Sequence, residues 1–487
     1  GGLYSDYGSE LRLTDVDITG NTAAEGGGLY TYKGTFELTR VAIYNNEASG
    51  GAGKGGGIYH YHGGDLFLTD VDIYENAAGD DGGGVYADGR MTMTGGSIAN
   101  NSAASAGGGV YNESNATLMG VALPGNTAGW RGGGIYNYYY TTTLTNCVLS
   151  DNEAGSGGAI YTTEGYGGYG RITATNCTIV GNTATREGGG VMVDSEALAK
   201  FYNSIVALNS AGVDGDDLLL GPNGYGEFEG DRNLIGVDPG FVDAAAGDYR
   251  LSSISIAINR GDTSLLPGDS SDFAGADRVV DGAIDIGAFE FQGAPDAARE
   301  AASTMVTTVD DTMDSTDGDI SLREALTYGM LEEEPSSVDF APALNGAIFV
   351  LDGRELFLHH SLTLDGRSVG GVTIDADGRS RTIYAVGGAI RMAGLTIAGG
   401  TAPAGGGIYT AASRLTLEEM TIGGNTVSGE NAVGGGIYNT GDLVLRSVTV
   451  SGNASTRDGG GIMNRGQTGL VGTRREANDA GSLGAGK

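Results

Sequence analysis

The chain has 487 residues, with 61 acidic against 27 basic side chains and a formal net charge of −34. That charge argues against nucleic acid or an anionic membrane as partner, and no apolar run reaches the ~20 residues of a transmembrane segment. Glycine at 91 residues with proline at only 8 suits a turn-dense repeat and excludes collagen or a proline-rich linker.

From the first residues a glycine cluster followed by an aliphatic residue and tyrosine recurs along the chain. The main run is Gly26–Tyr30, Gly55–Tyr59, Gly82–Tyr86, Gly107–Tyr111, Gly132–Tyr136 and Gly157–Tyr161, with starts 29, 27, 25, 25 and 25 residues apart. Weaker copies stand at Gly1–Tyr4, Gly188–Met192 and Gly459–Met463, and strong ones at Gly405–Tyr409 and Gly434–Tyr438. A period of this length marks a solenoid. Within each period the apolar residues alternate, as in Leu66-Phe67-Leu68-Thr69-Asp70-Val71-Asp72-Ile73, which signals half-buried strands. Three short strands and three turns fit into about 25 residues at ~3.3 Å per residue, so the unit is one coil of a parallel β-helix.

A second column fixes the register. Asn21, Asn46, Asn76, Asn101, Asn126, Asn152, Asn182 and Asn209 follow the tyrosines, and Asn425 and Asn453 do so in the later array. Asparagine tolerates left-handed turns, and stacked amides can bond from coil to coil. Glycine meets the positive φ at another corner. Cys147 and Cys177 occupy a column that elsewhere holds Val16, Val41, Val71 and Val121, which makes them inward-facing neighbours on adjacent coils. A free buried pair is expected, although the ~4.8 Å coil spacing would allow a bridge.

The first array occupies residues 1–210. Residues 211–293 are irregular and rich in Asp and Gly. Here Gly236-Val237-Asp238-Pro239-Gly240-Phe241, Asp248-Tyr249-Arg250-Leu251, Asp277-Arg278 and Asp285-Ile286-Gly287-Ala288-Phe289-Glu290-Phe291 resemble the choice-of-anchor Q domain of bacterial surface proteins. Ser255-Ile256-Ala257-Ile258-Asn259 departs from that family's Ser-Pro-Ala-Ile-Asp at two positions. The segment is placed to cap the end of the first array. After a linker over 294–304, residues 305–345 carry Gly318-Asp319-Ile320-Ser321-Leu322-Arg323-Glu324-Ala325-Leu326, similar to the CSLREA motif of bacterial β-helix surface proteins, with Ile320 where the cysteine would stand. Ser321 with Glu324 three residues on reads as a capping box, so a short helix is expected to plug the start of a second array. That array occupies 346–465, and 466–487 reads as an irregular tail. The repeats also resemble those of polymorphic outer-membrane proteins: Gly157-Gly158-Ala159-Ile160 matches one motif, and Ile73-Tyr74-Glu75-Asn76 approaches the other without its phenylalanine. Both arrays read as cut short at their outer ends. The fold class is all-β: two tandem right-handed parallel β-helices (solenoids) with an irregular cap between them.

Candidate chemistry is sparse. Asp17, Arg40 and Asp72 form the best constellation for a carbohydrate-active site. Asp17 and Asp72 stand two coils apart, ~9.6 Å, near the upper limit for an inverting glycosidase pair. The plainer reading is a surface ladder in which Arg40 relieves acidic repulsion. Tyr30, Tyr59, Tyr86, Tyr111, Tyr136 and Tyr161 should face outward, thickened by Tyr32, Tyr61 and Tyr138-Tyr139-Tyr140, as a ladder for sugar rings or simply as cross-strand packing. The four histidines, His60, His62, His359 and His360, pair with no nucleophile motif. No motif requires a cofactor. Ca²⁺ is the cation the chain suggests, at Asp310, Asp311, Asp314, Asp317 and Asp319, or at Asp214, Asp216 and Asp217. Solvated acidic loops are the simpler account of both groups.

The functional expectation is a secreted or cell-surface structural, adhesin-like protein presenting an extended face to a glycan or a surface protein. It rests partly on the family resemblances. The rival is a polysaccharide lyase or glycoside hydrolase acting on an acidic polysaccharide.

Overall fold

The computed structural model describes residues 1–480 apart from 166–167, 222–225, 267–270, 333–334, 412–413 and 430–431. The chain divides into two compact units, Gly1–Pro295 and Asp296–Lys487. Each is built around a parallel β-solenoid, and one α-helix, α1 (Leu322–Met330), is present among the described residues.

In the first unit each coil contributes up to four strand segments. One coil runs Val110–Asn112, Ala116–Met119, Ala122–Pro124 and Thr127–Ala128. Each segment pairs in parallel with its equivalents above and below: Val110 lies beside Val85 and Ile135, Leu118 beside Leu144, Leu123 beside Leu149. The alternation seen in the sequence sends Ile98, Leu118, Leu123, Ile135 and Leu149 inward, all fully buried. Fully burying a Leu or Ile contributes roughly 1.5–3 kcal/mol, so the core strengthens coil by coil.

Two turns repeat. At the glycine corner Gly82 has φ +68°, and a Cβ on Gly83 would come within 2.4 Å of the Gly108 carbonyl oxygen on the next coil. Any side chain there would push the coils apart. At the asparagine corner the side chain of each residue is fully used. Asn126 Nδ2 donates to Ile98 O at 2.8 Å and to Asn152 Oδ1 at 3.0 Å, while its own Oδ1 accepts both the backbone N–H and the Nδ2 of Asn101 at 3.0 Å. This ladder runs from Asn21 to Asn209 and ends on Asp217, whose Oδ1 accepts from Asn209.

Asp217 marks a coil beyond the expected limit at residue 210. Leu218–Leu220, Glu227–Asp231 and Leu234–Ile235 pair in register with the preceding coil. The segment that follows lies along the side of the solenoid, where an end cap was expected. Tyr249 Oη donates to Asp151 Oδ2 at 3.1 Å, Asn146 Nδ2 to Ser271 O at 3.1 Å, and Ala288 N to Thr178 Oγ1 at 3.0 Å. Beneath it Val148 and Val180, which point away from the solenoid core, are buried with Tyr249 and Ala288, and Phe241, Phe273 and Phe289 pack around them. The physical reason is an apolar outer face at Val148 and Val180; in the Val148 column the earlier coils carry Ala42 and Asp72. A knot of buried charge organises the segment: Arg278 lies 4.0 Å from Glu290, both side chains wholly buried, and donates to Gly287 O.

In the second unit α1 begins with the expected capping box, Ser321 Oγ accepting from Glu324 N and Glu324 accepting from Ser321 N. The helix is buried throughout and packs on the first strands of its solenoid. Arg323 is held by Asp311 through two bonds of 2.9 and 2.7 Å and by the carbonyls of Arg354 and Glu355. The expected tail contains a further coil: Gln467–Val471, Arg474–Glu476 and Asp479–Ala480 pair with the coil before them, and Asn478 Oδ1 accepts from Asn453. Residues 481–487 of that tail lie outside the described residues.

Candidate functional site

The tyrosine column is a continuous stack of rings. Tyr4, Tyr30, Tyr59, Tyr86, Tyr111, Tyr136 and Tyr161 follow one another at centroid separations of 4.6–5.6 Å. The rings point away from the aliphatic core, as alternation requires, yet the expectation of an open face is corrected. Tyr59, Tyr86, Tyr136 and Tyr161 are buried and Tyr30 and Tyr111 half-buried. Each ring covers the next, and charged side chains close over the edges. Lys54 Nζ donates to Tyr86 Oη at 2.9 Å, Tyr86 Oη donates to Glu113, Tyr161 Oη donates to Asp194, and the Arg131 guanidinium lies 4.8 Å over the Tyr161 ring. Burial pushes the Tyr30 phenol up to about 12, and those of Tyr59, Tyr86 and Tyr111 further still. The stack is therefore a floor rather than a docking surface.

Above this floor stands a column whose tyrosines, Tyr32, Tyr61 and Tyr138, were legible as a thickening of the ladder, whereas its acids, Asp88 and Glu113, were not. Two residues after each tyrosine stand Tyr32, Tyr61, Asp88, Glu113, Tyr138 and Thr163; strand pairing joins Tyr32 to Tyr61 and Tyr138 to Thr163, and just beyond the paired strands Asp88 N donates to His60 O and Glu113 N to Ala87 O. Asp88 and Glu113 are therefore neighbours on adjacent coils, roughly 4.8 Å apart along the axis. Both are half-buried. On one side Tyr32, Tyr61 and His62 pack ring to ring, and His62 N donates to Asp88 Oδ2 at 3.0 Å. On the other, Tyr138, Tyr139 and Tyr140 pack at 4.5 and 4.7 Å. Tyr139 adopts φ +43°, a conformation that costs energy in a bulky residue. Burial first, then the charges of Glu113 and Asp88, raise its phenol. The signal was available in the sequence as the residue at tyrosine plus two.

The constellation Asp17, Arg40, Asp72 is not assembled. Asp17, Ala42 and Asp72 share a register, but Arg40 sits in the adjoining turn with φ +51° and grips Asp15 through bonds of 2.7 and 3.0 Å. That pairing holds the Asp15 carboxyl below its ordinary range. Asp72 accepts from Ser97 Oγ at 2.7 Å. The acidic stretch at 310–319 is likewise spent on local bonds. Asp311 holds Arg323, Asp314 accepts from Thr316 N, Asp317 accepts from Asp319 N, Asp310 accepts from Thr308 Oγ1 and Asp319 from Thr307 Oγ1. Asp216 accepts from Ala211 N, and Asp217 ends the amide ladder. Among the described residues no group of three or more His, Cys, Asp or Glu side chains is arranged to hold a metal ion.

His60 is buried with Nδ1 2.8 Å from Thr31 Oγ1, and burial pulls its pKa down to about 4, so it is a neutral core residue. His359 and His360 are also buried, whereas His62 is exposed. Cys147 and Cys177 are unbridged and buried on consecutive coils, and burial pushes the Cys177 thiol well up.

Residues 27–210 match the family described as right handed beta helix region. That stretch is a right-handed β-helix. No curated protein and no solved structure matches the chain. No helix among the described residues is long and apolar enough to cross a membrane.

Proposed function

We propose that the chain is a secreted or cell-surface scaffold, adhesive rather than catalytic, whose first β-helix presents its tyrosine-bordered face to a glycan. The observation that carries this reading is the column at tyrosine plus two, where aromatic rings flank two acidic side chains on a rigid floor. Aromatic rings offer apolar faces to the C–H surfaces of sugars, and carboxylates accept bonds from hydroxyls. A β-helix holds both at fixed spacing, so little ordering cost falls on binding.

A glycan array probed with the folded chain tests the reading. Retention of a defined glycan class supports it, and a chain that retains nothing from a broad neutral and acidic array sinks it. The rival, a polysaccharide lyase or glycoside hydrolase, predicts new reducing ends or unsaturated products from the same panel. No geometry at Asp17, Arg40 and Asp72 favours it.

A further inference from the structure

The chain has two cysteines among its 487 residues, and the fold brings them together. Val148 pairs with Thr178, so Cys147 and Cys177 hold the same place on neighbouring coils, and Thr178 N donates to Cys147 O at 2.9 Å. Each follows a left-handed asparagine, Asn146 at φ +50° and Asn176 at φ +51°. Each sulfur donates to the carbonyl two residues back, Cys147 to Thr145 O at 3.4 Å and Cys177 to Thr175 O at 3.3 Å. The two thiols also bond to each other. Val121 fills this place on the coil before and Ser204 on the coil after, so packing alone does not call for sulfur. The strand residues next to the cysteines carry the lateral segment. Val148 is buried with Tyr249 and Ala288, and Thr178 Oγ1 accepts from Ala288 N at 3.0 Å. Slippage between these two coils would pull the docking strip apart.

We propose that Cys147 and Cys177 close a disulfide between neighbouring coils as the array folds, fixing the strip on which residues 236–291 dock. The coil spacing of ~4.8 Å falls within the ~4.4–6.8 Å Cα separation that a disulfide spans. The oxidant is a low-molecular-weight disulfide. One protein thiolate attacks it, which forms a mixed disulfide and releases the first small thiol. The second protein thiolate then attacks the protein sulfur of that mixed disulfide and releases the other small thiol. Overall two protons and two electrons pass from the protein thiols to the small disulfide. The step belongs to folding rather than to the finished fold. Both side chains are wholly buried once the coils have packed, and burial pushes the Cys177 thiol well up, so thiolate is then scarce.

The test refolds the whole chain from denaturant in a buffer of reduced and oxidised glutathione, then alkylates it under denaturing conditions. Arg171 lies between the two cysteines, so trypsin places them on different peptides. The expected result is no alkylated cysteine, and two peptides joined through Cys147 and Cys177 within a monomeric chain. Alkylated or glutathione-capped cysteines at every glutathione ratio overturn the proposal, as does a bond found only between chains. Hydrogen exchange over residues 241–291 then reads the docking strip. It should be about threefold or more slower in the bridged chain than in the reduced chain, because the bridge suppresses local opening. Cys147→Ser and Cys177→Ser should exchange like the reduced chain. Serine fits this corner, since Ser204 Oγ donates to Tyr202 O at 2.9 Å in the equivalent place, and thermal melting confirms that each variant folds. Equal exchange in bridged and reduced chains overturns the locking of the strip.

Discussion

At the scale of single residues the asparagine ladder turns on having both a donor and an acceptor in one side chain. Asn126 Oδ1 accepts from the coil before, and its Nδ2 donates to the coil after and to the Ile98 carbonyl. Aspartate supplies only acceptors, so Asn126→Asp would set its oxygen against Asn152 Oδ1 and leave the Ile98 carbonyl without its donor. An unsatisfied buried polar group costs ~1–3 kcal/mol, more where charge is involved, so a loss of roughly 3–5 kcal/mol is expected. Asp217 is the opposite case. It ends the ladder and there only accepts, so Asp217→Asn keeps its role and should change stability by less than about 1 kcal/mol. Denaturant midpoints of the two variants should separate clearly. Equal midpoints would mean that the amide donor carries no weight.

At the scale of elements, what was legible followed the period. The Gly and Asn corners and the inward Val71, Ile73 and Cys147 could be read because each recurs at the same place in successive coils. The α1 cap could be read because Ser321 and Glu324 are three residues apart. Arg40 relieves acidic charge as the plainer reading had it, by gripping Asp15, but its grouping with Asp17 and Asp72 fails for a local reason: Arg40 and Asp15 sit in left-handed turns outside the strand register that Asp17 and Asp72 share. The tyrosines were misread because alternation gives the side of a strand and not what covers it. The covering groups, Lys54, Glu113, Arg131 and Asp194, lie up to 33 residues away from the rings they close. The lateral placement of the 236–291 segment was not legible at all, since Tyr249 to Asp151 and Ala288 to Thr178 join residues 98 and 110 apart with no repeat to announce them. That segment should respond to pH. Burial, then the neighbouring Asp285 charge, pushes Glu290 up to about 8 from an ordinary 4.5. The folded form therefore holds a proton that the unfolded form has released, so the stabilisation is complete below about pH 4.5 and lost as pH rises through 8. Hydrogen exchange over residues 241–291 should quicken between pH 5 and 8, beyond the intrinsic chemical rate. Glu290→Gln should remove that added dependence and slow exchange at pH 8 while changing little at pH 4.5. Wild-type protection that stays constant across the window would refute the assignment.

At the scale of the whole molecule, charge sets the conditions under which the coils hold together. Some basic side chains are engaged between coils, as Arg391 with Glu418 and Arg414 with Asp442 in the second unit repeat the pattern of the first. These pairs are exposed or half-exposed, and such pairs typically contribute ~0–1 kcal/mol each. With 61 acidic residues against 27 basic ones, the surplus of negative charge repels itself. Salt screens both kinds of interaction, with a Debye length of ~30 Å at 0.01 M and ~3 Å at 1 M. The attractive pairs are short-ranged and few, whereas the repulsion sums over a charge of −34 stacked at a ~4.8 Å coil rise. Screening should therefore release more repulsion than it removes attraction. The melting temperature is expected to rise by several degrees between 10 mM and 500 mM NaCl, with Arg40→Ala, which frees Asp15, steepening the rise. A melting temperature that falls with salt would mean that the inter-coil ion pairs outweigh the net field, and that the acidic surface is held together by its few cations.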